Sequence, residues 1–128
     1  MILQSAVLCL LLLGGIFDWL TGPKRVDPDE AVLVQLKKAG SNLSKPHRIE
    51  FFLYFPTKLV AEQAALRIKP AGFEVDVKLA AKGNDWLCFA TRTMIPELPA
   101  LQKIRRDFTA IASSLGGEYD GWGTAVEK

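Results

Sequence analysis

The stretch Phe73-Glu74-Val75-Asp76-Val77-Lys78-Leu79 alternates without a fault, apolar at every odd position and charged at every even one. Successive side chains of a β-strand point to opposite faces, so this pattern describes a strand with one face on a core and the other in water. Lys82-Gly83-Asn84-Asp85 follows as a turn, and Trp86 to Thr93 supplies a second strand that pairs with the first as a hairpin. Strands with one polar face belong to antiparallel sheets, and their apolar face needs a covering layer.

The rest of the chain supplies that layer. Pro96 opens the strongest helix pattern, in which Leu98, Leu101, Ile104, Phe108, Ile111 and Leu115 keep helical spacing until Gly116-Gly117 ends it. Thr57 caps a second helix over Lys58 to Lys69, carrying Leu59, Val60, Ala64 and Ile68 and closed by Pro70 and Gly72. Asp27-Pro28-Asp29-Glu30 is a helix start, with a capping aspartate, proline at the first position and acids at the positive end of the dipole. Val32, Leu33, Leu36 and Ala39 form its apolar stripe, and Gly40 stops it. This short helix reads as an N-terminal addition to the core. His47 to Phe55 reads as a strand with Ile49, Phe51, Leu53 and Phe55 on one face and Arg48, Glu50, Phe52 and Tyr54 on the other. Phe52 and Tyr54 make that second face unusually aromatic.

The order is a helix followed by βαββαβ, which predicts an α+β domain of ferredoxin-like form: a four-stranded antiparallel sheet with two helices on one face, plus the extra N-terminal helix. Right-handed crossovers place the first and third strands in the centre and the last strand at an edge.

That last strand lies in Gly116-Gly117-Glu118-Tyr119-Asp120-Gly121-Trp122-Gly123-Thr124. In an extended chain Glu118 and Asp120 share one face and Tyr119 takes the other. Two readings stand side by side: Tyr119 and Trp122 pack, or the strand is an edge that offers backbone, aromatics and acids to a partner. The candidate partner-binding residues are Glu118, Tyr119, Asp120, Gly121, Trp122 and Gly123, with Phe52 and Tyr54 of the first strand.

The string Tyr119-Asp120-Gly121-Trp122-Gly123 after a long helix resembles the C-terminal signature of the RraB family, bacterial regulators of ribonuclease E activity. The opening helix ending at Gly40, the strand His47-Arg48-Ile49-Glu50-Phe51, the turn Ala71-Gly72-Phe73, Trp86 and Met94-Ile95-Pro96 extend the resemblance over most of residues 29 to 126. It implies a ferredoxin-like fold and a non-enzymatic regulator that binds ribonuclease E and restrains RNA turnover. RraB proteins are strongly acidic, whereas this chain carries a formal net charge of +2.

Other function classes find little support. No histidine–cysteine cluster, P-loop, dinucleotide fingerprint or zinc spacing is present, so no catalytic residue, metal or cofactor is expected. His47, the single histidine, reads as a surface or structural residue, and Cys88, on a strand between Leu87 and Phe89, as a core thiol. The basic residues are scattered in pairs such as Lys37-Lys38 and Arg105-Arg106 rather than gathered into a stripe, which argues against a dedicated nucleic-acid binder. Phe52, Tyr54 and Arg48 on an open sheet face keep an RNA- or ligand-binding module as the alternative.

Residues 1–20 form an apolar leader, 21–28 a linker and 29–128 the RraB-like domain. Met1 to Phe17 carries no charged side chain, the short edge of the ~17–25 residues that cross a bilayer. The leader leaves three readings open: an inner-membrane anchor with the domain on the cytoplasmic side, an export signal, or a mis-called start near Gly15. With the anchor, residues 1–20 would touch membrane.

Overall fold

The computed structural model describes residues 26–81 and 83–128. The expected leader and most of the linker lie outside the described residues. The elements run α1 (Pro28–Lys38), β1 (His47–Phe55), α2 (Lys58–Ile68), a 3-10 turn (Lys69–Ala71), β2 (Glu74–Leu79), β3 (Trp86–Met94), α3 (Leu98–Ser114) and β4 (Glu118–Gly123). All strand pairs are antiparallel, in the order β2-β3-β1-β4. The first and third strands are therefore central, and the glycine-rich last strand is an edge, as the crossover rule required.

The alternation of β1 is the axis of the core. Ile49, Phe51, Leu53 and Phe55 are at most 1% exposed, and Cys88 and Ala90 of β3 lie opposite Leu53 and Phe51 on the same face. The helices cover that face with Ala61, Ala64 and Ile68 of α2 and Leu101, Ile104, Phe108 and Ala112 of α3. Phe51, Phe73 and Phe108 meet edge-on or tilted at 5.0–5.5 Å between ring centroids, arrangements that aromatic quadrupoles favour. Two of the helices begin where the sequence supplies a side-chain acceptor. The Asp27 carboxylate takes the N–H groups of Asp29 and Glu30 at 2.9 and 3.0 Å, and the Thr57 hydroxyl takes that of Val60 at 3.2 Å. Glu97 stands at the start of α3 without a side-chain cap.

Two glycines fix how β4 joins the sheet. At Gly117 any Cβ would overlap the Phe55 ring and the Tyr54 carbonyl oxygen, so only glycine lets the chain leave α3 this close to β1. At Gly121 φ is +110°, and there the pairing with β1 slips: Phe52 lies opposite Gly121 but Leu53 lies opposite Tyr119. Asp120 is the extra residue of a β-bulge.

Of the two readings of His47, surface or structural, burial selects the second, and Cys88 is the core thiol expected. His47 is fully buried, with Nδ1 2.8 Å from the Lys45 carbonyl and Nε2 2.6 Å from the Ser41 hydroxyl. The Cys88 thiol is buried among apolar side chains, and burial pushes its pKa up to about 11. Among the described residues no helix is long and apolar enough to cross a membrane.

Candidate partner-binding face

The bulge decides where the signature's side chains go. In an unbroken strand, residues three apart point to opposite faces, so Trp122 would stand beside Glu118 and Asp120. The extra residue at Asp120 resets the alternation. Tyr119, opposite Leu53, and Trp122, opposite Phe51, both turn to the helix-covered side. Trp122 is 8% exposed and Tyr119 half-buried, while Glu118 and Asp120 are exposed. Of the two readings of this strand, packing is the one its rings follow: the strand is at the rim, but Tyr119 and Trp122, among the candidate partner-binding residues, face inward.

What they meet there is a polar cluster under α1. Asp29, on the first turn of α1, is completely buried. Its carboxylate accepts two bonds from Arg105 of α3, Nε to Oδ2 at 2.9 Å and Nη2 to Oδ1 at 3.0 Å. It also accepts one from the Trp122 indole Nε1 at 3.0 Å. Bidentate and charge-assisted bonds of this kind are the strong ones, and they satisfy a charge that burial alone would forbid. The Arg105 guanidinium also lies 5.1 Å over the Tyr119 ring, and that ring meets Phe108 edge-on at 5.9 Å. Burial raises the Tyr119 phenol far above its usual pKa, with Arg105 opposing the shift. Its hydroxyl has no hydrogen-bond partner among the described residues. Asp27 adds an outer tie, accepting from the Gln102 amide at 3.0 Å. Thus α1 is more than an appendage: its first turn is fastened to α3 and β4.

Sequence reading missed Asp29 and Arg105 as partners, because Asp29 suits a helix N-terminus and Arg105 belongs to one of several scattered basic pairs. One signal was available. A buried indole N–H requires an acceptor, so an aromatic signature that packs implies a polar residue beneath it.

Among the described residues, the other side of the sheet carries no helix. Phe52 and Tyr54 stand there half-buried, with Phe89 of β3 5.5 Å from Phe52 and the Lys78 ammonium 4.6 Å over the Phe89 ring. Glu50, Glu74, Asp76, Glu118 and Asp120 surround these rings, against the cations Arg48 and Lys78. Arg48 is spent on Glu50 at 3.1 Å. A hollow of about 430 Å³ opens between Tyr54, Ala80, Ala81, Asp85, Glu118 and Asp120. Phe52, Tyr54, Glu118 and Asp120 are therefore brought together on one face. Tyr119 and Trp122 lie behind it, and Gly121 and Gly123 shape the strand between. Among the described residues no group of three or more histidine, cysteine, aspartate or glutamate side chains could hold a metal ion.

The comparison with protein families now falls on this geometry. The profile of the family RraB, regulator of ribonuclease activity B, matches residues 27–124. The chain belongs to the RraB family. The match begins at the capping Asp27 and ends just after β4, so it takes in the α1 fastening, both sheet faces and the bulged edge. RraB is thus a family of regulators of ribonuclease activity, and the resemblance seen in Tyr119 to Gly123 is a membership. No curated protein matches the sequence significantly.

Proposed function

We propose that this RraB-family chain is a non-enzymatic regulator that docks an endoribonuclease, ribonuclease E being the first partner to test, and so modulates RNA turnover. The strand order and the one-sided helix layer support reading the domain as a ferredoxin-like split βαββαβ unit whose uncovered face does the binding. The carrying observation is that this face joins a half-buried aromatic strip, Phe52, Tyr54 and Phe89, to exposed Glu118 and Asp120 on the edge strand. Apolar rings flanked by carboxylates suit a protein segment that carries lysine or arginine beside apolar residues. Glu118 and Asp120 pair with the partner's cations, Phe52 and Tyr54 pack on its apolar groups, and Gly123 closes the exposed edge. Tyr119, Gly121 and Trp122 act from behind, holding the strand in position.

The same carboxylates speak against the RNA-binding alternative, because a phosphate backbone is repelled by a face with more acids than bases. A membrane-tethered adaptor would draw on residues 1–20, which lie outside the described residues.

The test is ribonuclease E cleavage of a defined RNA, with binding followed in parallel. The wild-type chain should bind and slow cleavage. E118K/D120K and F52A should keep the fold and lose both effects by tenfold or more. If wild type neither binds nor slows the enzyme at micromolar concentration, ribonuclease E is the wrong partner; if the variants act like wild type, the face is wrong.

A further inference from the structure

On the helix-covered side of the sheet a cleft of about 510 Å³ is lined by the C-terminal end of α2, the residues Phe73, Arg92 and Met94, and the middle of α3. Its floor is Phe73, Phe108, Ile68 and Ile104, and its walls include Met94 and Ile111. The volume falls in the range of about 300–1,000 Å³ typical of small-molecule sites, and an apolar lining with a few polar groups at the rim is what such sites share.

The rim is cationic. Arg67, Arg92 and Lys103 line the cleft with Asp107 as the one carboxylate, and Lys103 already holds Asp107 at 2.7 Å. The two arginines have no carboxylate partner among the described residues. Arg67 donates to the Ser114 hydroxyl at 2.9 Å, and Arg92 lies over the Phe73 ring of the cleft at 5.2 Å, so both guanidiniums make neutral contacts only. A guanidinium so placed keeps donors free for a planar anion.

We propose that this cleft binds a small amphipathic carboxylate, its apolar body on Phe73, Ile104 and Phe108 and its head group between Arg67 and Arg92. Charge complementarity selects an anion, the narrow concavity between helices a compact aliphatic or aromatic body, and the unpaired guanidiniums a carboxylate geometry. The site is independent of the sheet face proposed for ribonuclease docking and does not rest on it.

Decanoate, kept below its micellar concentration, is the probe, titrated into the ¹⁵N-labelled full chain with decanol and decyltrimethylammonium as controls. Saturable shifts should appear at the amides around Ile68, Ile104, Phe108 and Ile111, and not on β4. Decanoate should bind about tenfold or more tighter than either control, a difference in keeping with charge-assisted hydrogen bonds. R67Q/R92Q should erase that preference and leave decanol binding unchanged. Both arginines are exposed, so the fold should survive; R67Q alone, with a smaller loss, serves if the double variant does not. No saturable binding, equal binding of all three probes, shifts centred on the open sheet face, or an unchanged decanoate affinity in R67Q/R92Q would each overturn the proposal.

Discussion

Removing Arg105 should harm the fold more than neutralising its partner, because the two groups left behind differ in what they can do. Asp29 is completely buried, and besides its own arginine only the Trp122 indole donates to it among the described residues. In R105M the buried carboxylate keeps one neutral donor, the Trp122 indole. Breaking a buried ion pair from one side costs about 3–5 kcal/mol, and because the Arg105 side chain keeps 31% exposure the lower end, about 3 kcal/mol, applies. In D29N the charge left over is the guanidinium, which that exposure lets water reach, and the amide oxygen still accepts from Trp122. About 1–2 kcal/mol follows.

Against a domain stability of about 5–15 kcal/mol, the first loss is severe and the second tolerable. At roughly 4–8 °C per kcal/mol for a domain of this size, the midpoints should separate by about 5–15 °C. Urea titrations give the free energies, and amide exchange locates the damage. R105M should speed exchange in α1, from Asp29 to Lys38, well before it does so in β1. If R105M costs no more than D29N, or both fall within about 0.5 kcal/mol of wild type, Asp29 is not a buried charge held by Arg105 and the account of α1 is mistaken.

Gly121 and Gly123 form a matched pair of tests, since an added Cβ meets nothing within 4 Å at either, yet only Gly121 has positive φ, +110°. G121A should cost about 1–3 kcal/mol in urea unfolding and G123A under about 0.5 kcal/mol; equal costs would refute the bulge. At alkaline pH the buried thiol matters. Its folded pKa of about 11 lies above the ordinary 9.0, so its contribution is intact below pH 9 and lost as pH rises towards 11. The urea midpoint should fall between pH 8 and 10.5, and C88A should reduce that slope without abolishing it, because Tyr119 is raised too. At acid pH the sign reverses. The backbone N–H of Glu30, then the Gln102 amide, hold the Asp27 carboxyl below its ordinary 3.8, so the cap is intact above that value and lost as pH falls through the depressed one. Circular dichroism should show D27A flattening the acid limb of the stability curve.

Much of this structure was legible because strand and helix periodicities are local. The alternation in β1 named the core face residue by residue, and that in β2 did so for Val75 and Val77 but not for Leu79, which is exposed; Thr57 and Asp27 marked two helix starts, and the crossover rule put β4 at the rim. The faces of β4 were not legible. Counting by twos sends Trp122 to the solvent side, and nothing in a segment with glycines at 116, 117, 121 and 123 says which one adopts positive φ and absorbs an extra residue. The pairing of Asp29 with Arg105, 76 residues apart, was equally hidden, because each residue has a sufficient local explanation. Local patterns fix which face of an element is apolar; they do not choose among several charged residues the one that follows an indole inward.

Charge shows the same limit in another form, and it yields a test of the docking face. A net charge of +2 suggests no preference for a basic partner, but the sum hides a sorting by layer. The open-face positions of the strands bear five carboxylates, Glu50, Glu74, Asp76, Glu118 and Asp120, against Arg48 and Lys78, with Arg92 of β3 at a position of the other face, so the compensating positive charge lies elsewhere on the molecule. Since the Debye length at physiological salt is about 8 Å, a partner approaching this face feels mainly these local groups. Association with a basic segment should therefore slow as salt rises, although the whole protein is weakly cationic. E118K/D120K should flatten or invert that dependence while leaving thermal stability nearly unchanged, since both side chains are exposed and neither takes part in an ion pair among the described residues. Stopped-flow association at 50 and 300 mM salt reads the slope directly. An association rate that climbs with salt in the wild type would mean that the net charge governs the encounter, and that the partner meets the helix side rather than the sheet.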